Sequence, residues 1–203
     1  MRAQVIVIAG PSGSGKSRLA ERTGLPVLRL DDFYKDGDDP SLPRIAEGQA
    51  NAGLVDWDDP ASWLQDDAVA ALTTLCREGA VDVPVYEIAA NGRTGWQHLD
   101  LAGASYFVAD GIFAAEIVPR VREAGLLADA LCLRQHPAVT FWRRLTRDLR
   151  EHRKPPLVLL KRGVALMRGQ RAVVAHAVDL GCRPVGNAEA LDEVAALVAG
   201  VRA

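Results

Sequence analysis

The sequence lacks the features that mark disulfide-stabilised, metal-stabilised or membrane-spanning chains. Its cysteines number only three and lie far apart, and its four histidines show no metal-ligand spacing, so neither a disulfide framework nor a zinc site is suggested. No stretch approaches the roughly 20 apolar residues that cross a bilayer. The apolar run near the N-terminus is too short for a signal peptide. We therefore expect a cytoplasmic protein without a membrane partner.

The chain also lacks a strong excess of either charge. Its formal net charge is −2 and 25% of its residues are charged, which gives no general reason to expect a nucleic-acid partner. Internal repeats and low-complexity tracts are absent. Apolar residues are plentiful, at 49% of 203 residues, and suffice for a substantial core. We expect one domain, residues 1–203, that carries insertions.

Apolar runs bounded by turn residues alternate with helical patterns along the chain. The runs predict strands at 4–9, 26–30, 105–109, 128–133 and, more faintly, 178–185. The helical patterns cover 16–22, 61–77, 113–123, 137–150 and 188–199, the last with Asn187 as a predicted N-cap. Strands that are apolar on both faces and alternate with helices predict an α/β fold with a parallel sheet of roughly five strands, flanked by helices.

Three stretches interrupt this alternation, and their length indicates function. Residues 31–60 are rich in Asp, Pro and Gly, and residues 81–101 contain turn signals between short β-like runs, which predicts a small β-hairpin insertion. Residues 141–171 are rich in Arg and Lys. We expect the first two on the substrate side and the third to act as a lid.

The most specific motif lies between the first strand and the first helix. Residues 10–17 read Gly-Pro-Ser-Gly-Ser-Gly-Lys-Ser and match G-x-x-x-x-G-K-[S/T], the Walker A or P-loop pattern. Backbone N–H groups of such a loop wrap the phosphates of a nucleotide, while the positive end of the helix faces them. Lys16 is expected to reach the β and γ phosphates and the Ser17 hydroxyl to bind Mg²⁺. The predicted phosphate-binding residues are Gly10, Ser12, Gly13, Ser14, Gly15, Lys16 and Ser17.

Two further acidic positions follow predicted strands. Asp110 comes after the strand at 105–109, at the edge where open α/β sheets bind ligands, and is a candidate for Mg²⁺ or an ordinary helix cap. Asp31 follows the second strand and is a candidate base for an attacking hydroxyl. Asp32 competes with it for this role, and both residues are also consistent with a solvent-facing turn.

Six motifs in order along the chain resemble the uridine kinase family, within the wider group of phosphoribulokinase and a bacterial pantothenate kinase. They are residues 10–17, Asp31-Asp32-Phe33-Tyr34-Lys35, Trp57-Asp58-Asp59-Pro60, Pro84-Val85-Tyr86-Glu87, Asp110-Gly111-Ile112 and Arg143-Arg144-Leu145-Thr146-Arg147-Asp148. The resemblance implies a P-loop kinase fold. It also implies transfer of the ATP γ-phosphoryl group to the 5′-hydroxyl of a pyrimidine nucleoside, with Mg²⁺ as cofactor.

The resemblance also assigns the acceptor side. Asp31 would be the base, Asp58 would bind sugar hydroxyls and Tyr86 would line the base pocket. Independently of the family, Arg93 offers the fork of hydrogen-bond donors that such an acceptor needs. Asn91 stands where the family usually has a histidine, which leaves recognition of the base open. A kinase for another small alcohol, such as a sugar or a vitamin, and a regulatory nucleotide-binding protein without acceptor turnover remain alternatives.

Three arginines of the last motif form one cationic face of a predicted helix. Arg143, Arg144 and Arg147 are three and four residues apart, a spacing that favours closure over phosphates. Arg144 and Arg147 are the candidates to stabilise the transferring phosphoryl group. Alternatively, Arg144 pairs with Asp148 as part of a solvated surface. RNA binding by this basic stretch is weakly supported because it lacks interleaved aromatic residues. A homo-oligomer, and the choice between ATP and GTP, stay open.

Overall fold

A parallel sheet forms the centre of the structure, a computed structural model that describes residues 3–48, 51–136, 138–142, 146 and 169–200. The strands are β1 (Gln4–Ala9), β2 (Val27–Arg29), β3 (Ala80–Glu87), β4 (Gly92–Asp100), β5 (Tyr106–Asp110), β6 (Leu127–Leu133) and β7 (Arg183–Val185). The helices are α1 (Lys16–Thr23), α2 (Gln65–Glu78), α3 (Val118–Glu123) and α4 (Asn187–Val198). Short 3-10 turns cover Leu30–Phe33, Pro60–Ser62 and Ala114–Ile117, and residues 138–142 and 169–179 are also helical.

The central sheet has five strands in the order β2-β5-β1-β6-β7, all parallel. Strand β1 lies in the middle, where Ile8 is in register with Asp110 of β5 and with Leu131 of β6. The carboxyl ends of all five strands therefore meet at one edge of the sheet. The prediction of a five-stranded parallel α/β sheet is confirmed.

Alternate residues of β1 face two separate cores, which explains why its sequence is apolar throughout. Val5 and Val7 belong to the core on the side of α2 and α3, whereas Ile6 and Ile8 belong to the core that contains residues of α1 and α4. All four side chains are fully buried. Burial of a Val or Ile side chain contributes about 1.5–3 kcal/mol each to folding. This packing fixes the end of β1, from which the P-loop starts.

The predicted hairpin insertion is also confirmed, because β3 and β4 pair as an antiparallel two-stranded sheet. Asn91 lies in the turn between the two strands with a φ of 52°. This left-handed conformation is one that Asn tolerates better than most residues, which explains Asn at the turn. The backbone N–H of Gly37 donates to the Asn91 carbonyl (2.8 Å), so the turn is tied to the loop after β2.

Several predicted boundaries were wrong. Asp110 is the last residue of β5 and does not follow the strand. Gly186, not Asn187, is the N-cap of α4, and its N–H donates to the Glu189 carboxylate at 3.2 Å. The last strand begins only at Arg183, because residues 169–179 extend a helix into the region where the faint apolar run begins.

The predicted helix at 137–150 is observed at 138–142, and most of its remainder lies outside the described residues. Arg143, Arg144 and Arg147 are among the residues not described, so the lid and its arginines remain a prediction. Within the described part of the chain, no helix combines the length and the apolarity that crossing a membrane requires.

Candidate active site

The P-loop follows directly from β1 and adopts the backbone that its glycines allow. Gly10, Gly13 and Gly15 have φ values of 139°, 84° and 97°, which other residues adopt only with strain. A Cβ atom on Gly13 would lie 2.8 Å from the carbonyl oxygen of Thr140, so this glycine also permits a close approach of backbone. Lys16 Nζ donates to the carbonyl oxygen of Gly10 at 2.9 Å. The loop is thus folded around its own lysine.

Unsatisfied polar atoms are concentrated beside this loop. Among the described residues, three buried side-chain oxygens have no hydrogen-bond partner: Ser14 Oγ, Asp110 Oδ1 and Asn187 Oδ1. Ser14 belongs to the loop, and the amide nitrogen of Asn187 donates to the Ser14 carbonyl at 3.1 Å. Leaving a buried polar group unpaired costs about 1–3 kcal/mol. Such atoms in one place indicate a site built for a polar ligand.

Asp110 is placed to contribute to a metal site. Its side chain is nearly buried, and this burial raises its pKa, while Lys16 and a hydrogen bond with Ser17 act to lower it. One carboxylate and one hydroxyl suit Mg²⁺, which prefers oxygen ligands and usually keeps several waters. The described residues contain no cluster of three or more His, Cys, Asp or Glu that could hold a metal. The predicted Mg²⁺ residues, Ser17 and Asp110, therefore fit a phosphate-bound ion rather than an all-protein metal cage.

The two neighbouring aspartates after β2 have different surroundings. Asp31 is exposed, and its Oδ1 accepts from the backbone N–H of Ile112 at 2.8 Å, which holds the carboxylate at the end of β5. Asp32 is buried, lies 3.6 Å from the Arg29 guanidinium and accepts from the N–H of Tyr86 at 3.4 Å. Burial raises the pKa of Asp32. Asp31 is thus open to a substrate, whereas Asp32 is enclosed by protein.

A cavity of about 480 Å³ lies next to the P-loop. Its apolar lining includes Pro11, Pro60, Ile112, Phe113, Phe141 and Val173. Its polar lining is Ser12, Asp58, Glu116, Thr140, Gln170 and His176. A volume in this range, with apolar walls and a few polar groups, is typical of a small-molecule site.

Of the four predicted acceptor residues, only Asp58 lines this cavity. The Tyr86 ring packs against Tyr34, at 5.8 Å between centroids, and Tyr34 in turn packs against Phe113 of the cavity wall. Arg93 donates to both carboxylate oxygens of Asp36, with the shortest contact at 2.7 Å. Tyr86 therefore supports the wall of the cavity through Tyr34, whereas Arg93 and Asn91 make their contacts at the hairpin and the loop after β2.

Four polar residues of the cavity were missed from the sequence. The Gln170 amide donates to the carbonyl of Gln135 and accepts from the Thr140 hydroxyl, both at 2.6 Å. His176 Nε2 forms a hydrogen bond with Glu116 Oε1, also at 2.6 Å. None of these four residues belongs to a recognised sequence motif. Each hydrogen bond joins residues at least 30 positions apart in the sequence. The spacing of two polar residues, Gln170 and His176, on one face of a predicted helix would have been the only signal.

Proteins similar to this chain include kinases. The chain is 33% identical to the uridine kinase of Schizosaccharomyces pombe over 155 residues, which are 73% of this chain. The chain is similar in sequence to a uridine kinase. The resemblance predicted from the sequence is confirmed. A proposed fructose transport system kinase of Silicibacter sp. TM1040 shares the fold, with a TM-score of 0.63 and 18% identity over 92% of this chain and 88% of that one. The fold is that of the P-loop kinases.

The match to curated proteins covers only part of those proteins. The uridine kinase-like chain spans 32% of the Schizosaccharomyces pombe protein. It is also 28% identical to the inorganic pyrophosphatase TTM2 of Arabidopsis thaliana over 115 residues, which are 54% of this chain and 15% of that protein. No protein-family model matches the chain.

Proposed function

We propose that this chain is an ATP-dependent kinase that phosphorylates a hydroxyl of a small acceptor, most simply the 5′-hydroxyl of uridine or cytidine. The observation that carries this proposal is the grouping of three elements at one edge of the sheet. The P-loop follows β1, Asp110 ends β5, and Asp31 is held by the N–H of Ile112, which itself lines the cavity. A donor site, an exposed carboxylate and a place for an acceptor thus adjoin one another.

Each residue has one task in the proposed reaction. Backbone N–H groups of the P-loop and the Lys16 ammonium hold the phosphates of ATP, and Ser17 and Asp110 would hold Mg²⁺. Bound Mg²⁺ neutralises charge on the phosphates. Asp31 accepts the proton of the attacking hydroxyl. Arg144 and Arg147, proposed from the sequence alone, would stabilise charge on the transferring group.

The apolar walls of the cavity favour a nucleoside over a sugar. A sugar presents hydroxyl groups on every side and would leave them unpaired against Ile112, Phe113 and Phe141. A planar base can contact these side chains through its faces. The uridine kinase relative supports the same acceptor class.

The test is ADP release from Mg·ATP with a panel of acceptors: uridine, cytidine, pantothenate, ribose and fructose. Stimulation by uridine or cytidine alone is the expected outcome, with a 5′-monophosphate as product. Stimulation by a sugar alone would keep the kinase and discard the nucleoside. Tight ATP binding without stimulation by any acceptor would favour a regulatory nucleotide-binding protein.

The adjacent aspartates provide a matched pair of variants for the proposed base. Asp31→Asn should lower kcat about 10²- to 10⁴-fold without changing the KM for ATP, because it removes the proton acceptor. Asp32→Asn is the control, since Asp32 is enclosed by Arg29 and Tyr86. Full turnover by Asp31→Asn would refute the base assignment.

A further inference from the structure

We propose that Glu116 and His176 form the specificity-determining pair that binds the nitrogen-bearing edge of the acceptor, at the end of the cavity remote from the P-loop. This inference rests on the proposed kinase function. Both residues line the cavity and are hydrogen-bonded to each other through Glu116 Oε1 and His176 Nε2 at 2.6 Å. They come from different elements, the 3-10 turn Ala114–Ile117 and the helical residues 169–179.

The position of the pair along the helix at 169–179 indicates its distance from the P-loop, where ATP would bind. Gln170 is near the P-loop, because it accepts from Thr140, whose carbonyl oxygen would lie 2.8 Å from a Cβ atom on Gly13. His176 is six residues further along the same helix, which corresponds to about 9 Å at 1.5 Å per residue. The reacting hydroxyl belongs at the P-loop end, so the pair meets the opposite end of the acceptor.

The chemistry of the pair selects hydrogen-bond donors. A carboxylate only accepts, so the shared proton resides on His176 Nε2, and Glu116 Oε2 keeps its acceptor lone pairs. Among the described residues, no further hydrogen bond engages Glu116 Oε2 or His176 Nδ1. The pair therefore presents acceptor atoms, which match the ring N–H of a uracil-type base or the amino group of a cytosine-type base.

Other polar groups predicted for the acceptor are held elsewhere. Asn91 lies in the hairpin turn, where its backbone carbonyl accepts from Gly37, and Arg93 is paired with Asp36. Gln170 has both ends of its amide occupied by Thr140 and Gln135. Within the described part of the chain, Glu116 Oε2 is a carboxylate oxygen at the cavity that makes no further hydrogen bond.

The experiment compares uridine with N3-methyluridine, which keeps the ring and the 5′-hydroxyl but lacks the ring N–H. The wild-type protein should lose about 10- to 100-fold in kcat/KM on N3-methylation, mainly through KM, since a hydrogen bond to a charged group is lost. In Glu116→Gln and in His176→Ala this preference should fall to within about threefold. The KM for ATP should not change.

The chain offers a matched control for this pair. His98 and Asp82 form a similar hydrogen bond at 2.7 Å on the β3–β4 hairpin, and neither lines the cavity. Asp82→Asn and His98→Ala should retain the wild-type preference for uridine. Equal use of both nucleosides by the wild-type protein, or equal losses for both in Glu116→Gln, would overturn the proposal.

A failure of the kinase function is separable from a failure of this inference. If no acceptor is phosphorylated, calorimetric titration of both nucleosides into the protein with a non-hydrolysable ATP analogue measures the same discrimination as a ratio of Kd values. Preferential binding of uridine that is lost in Glu116→Gln supports the pair even then. Absence of nucleoside binding, or turnover with a sugar alone, overturns it.

Discussion

The proposed site has a phosphoryl-donor end at the P-loop and an acceptor end at the cavity. The chain builds these two ends in different ways. Eight consecutive residues, 10–17, supply most of the donor end, and within the described residues Asp110 of β5 and Asn187 of α4 join them. The acceptor cavity draws on five separate stretches of sequence: 11–12, 58–60, 112–116, 140–141 and 170–176. The donor end is therefore specified by local backbone geometry, whereas the acceptor end depends on how distant elements pack.

The two ends also differ in how their polar groups are satisfied. At the donor end Ser14 Oγ, Asp110 Oδ1 and Asn187 Oδ1 lack partners within the described residues. At the acceptor end Glu116 pairs with His176 and Gln170 with Thr140. Mg²⁺ bound with a nucleotide would give the Asp110 carboxylate a partner that the described residues do not supply, whereas an acceptor adds to hydrogen bonds that already exist. We expect nucleotide to stabilise the fold more strongly than acceptor does.

Lys16→Ala should have the largest effect and tests whether the donor end carries the chemistry. The ammonium lies on the P-loop carbonyls of Gly10 and Pro11, where a β or γ phosphate would meet it. Loss of a preorganised cation is expected to lower kcat/KM on the order of 10³-fold. ADP release measures this loss. In thermal unfolding, the variant should also lose stabilisation by Mg·ATP. Retained turnover would mean that the loop is only a structural turn.

Asp110→Asn should have the next largest effect and separates activity from stability. Burial raises the pKa of Asp110, so the ionised carboxylate destabilises the fold in the absence of a cation. The isosteric amide should lower activity about 10²-fold by weakening Mg²⁺ binding. It should raise the unfolding free energy of the nucleotide-free protein by about 1 kcal/mol, which corresponds to about 2–4 °C in Tm. Equal Mg²⁺ dependence of the wild-type protein and the variant would exclude Asp110 from the metal site.

Much of the donor end could be predicted from the sequence because its information is local. The Walker A pattern, the apolar run of β1 and the start of α1 adjoin one another, so motif and element support the same interpretation. Asp110 could be proposed from the sequence because the apolar run at 105–109 is recognisable as a strand, and the structure shows that this strand pairs with β1. Asp31 could likewise be proposed because it follows a predicted strand. That Asp31 is exposed and Asp32 is buried could be seen only in the folded structure.

The acceptor end could not be predicted to the same depth. Glu116 and His176 are 60 residues apart, and no pattern in either segment indicates that they meet. Their contact depends on where the helix at 169–179 packs against the turn after β5. Tyr86 matched a motif position and Arg93 was a candidate by its residue type, yet they contact Tyr34 and Asp36 instead of lining the cavity. The motif around Tyr86 thus identified a neighbouring region but not a side chain that faces the cavity.

Asp58→Asn tests whether a cavity carboxylate binds the acceptor. Asp58 is exposed and lines the cavity, so an acceptor bound there would bring its hydroxyls to this carboxylate. The KM for the nucleoside should rise about tenfold, with kcat and the KM for ATP nearly unchanged, because a charge-assisted hydrogen bond to the acceptor is weakened. Steady-state kinetics with uridine or cytidine measures the change.

The neighbouring Asp59 is the control for Asp58. Its carboxylate accepts from the N–H of Ala61 at 2.8 Å and caps the turn Pro60–Ser62. Asp59→Asn should leave nucleoside KM within about twofold of the wild-type value, because Asn also serves as a cap. An equal rise in KM in both variants would assign the effect to loop distortion instead of acceptor contact.

Arg93→Ala should have the smallest effect, because the structure gives Arg93 a structural role at the hairpin. The Arg93 guanidinium lowers the pKa of Asp36 through hydrogen bonds. Both side chains are about one-third exposed, so solvent screening limits the pair to about 0.5–1 kcal/mol of unfolding free energy at pH 7. Because the pKa of Asp36 is lower in the folded state, this stabilisation is present above the unfolded value of about 4 and is lost as pH falls through the folded value.

Urea unfolding of wild-type and Arg93→Ala protein between pH 3 and pH 7 measures this contribution, with Asp36→Asn as the matched variant from the other side of the pair. The difference in unfolding free energy should be constant from pH 7 to about pH 5 and should shrink below about pH 4. Nucleoside KM should stay within about twofold of the wild-type value. A tenfold rise in that KM, with little change in unfolding free energy, would show that Arg93 binds the acceptor. It would also mean that the acceptor displaces Arg93 from Asp36.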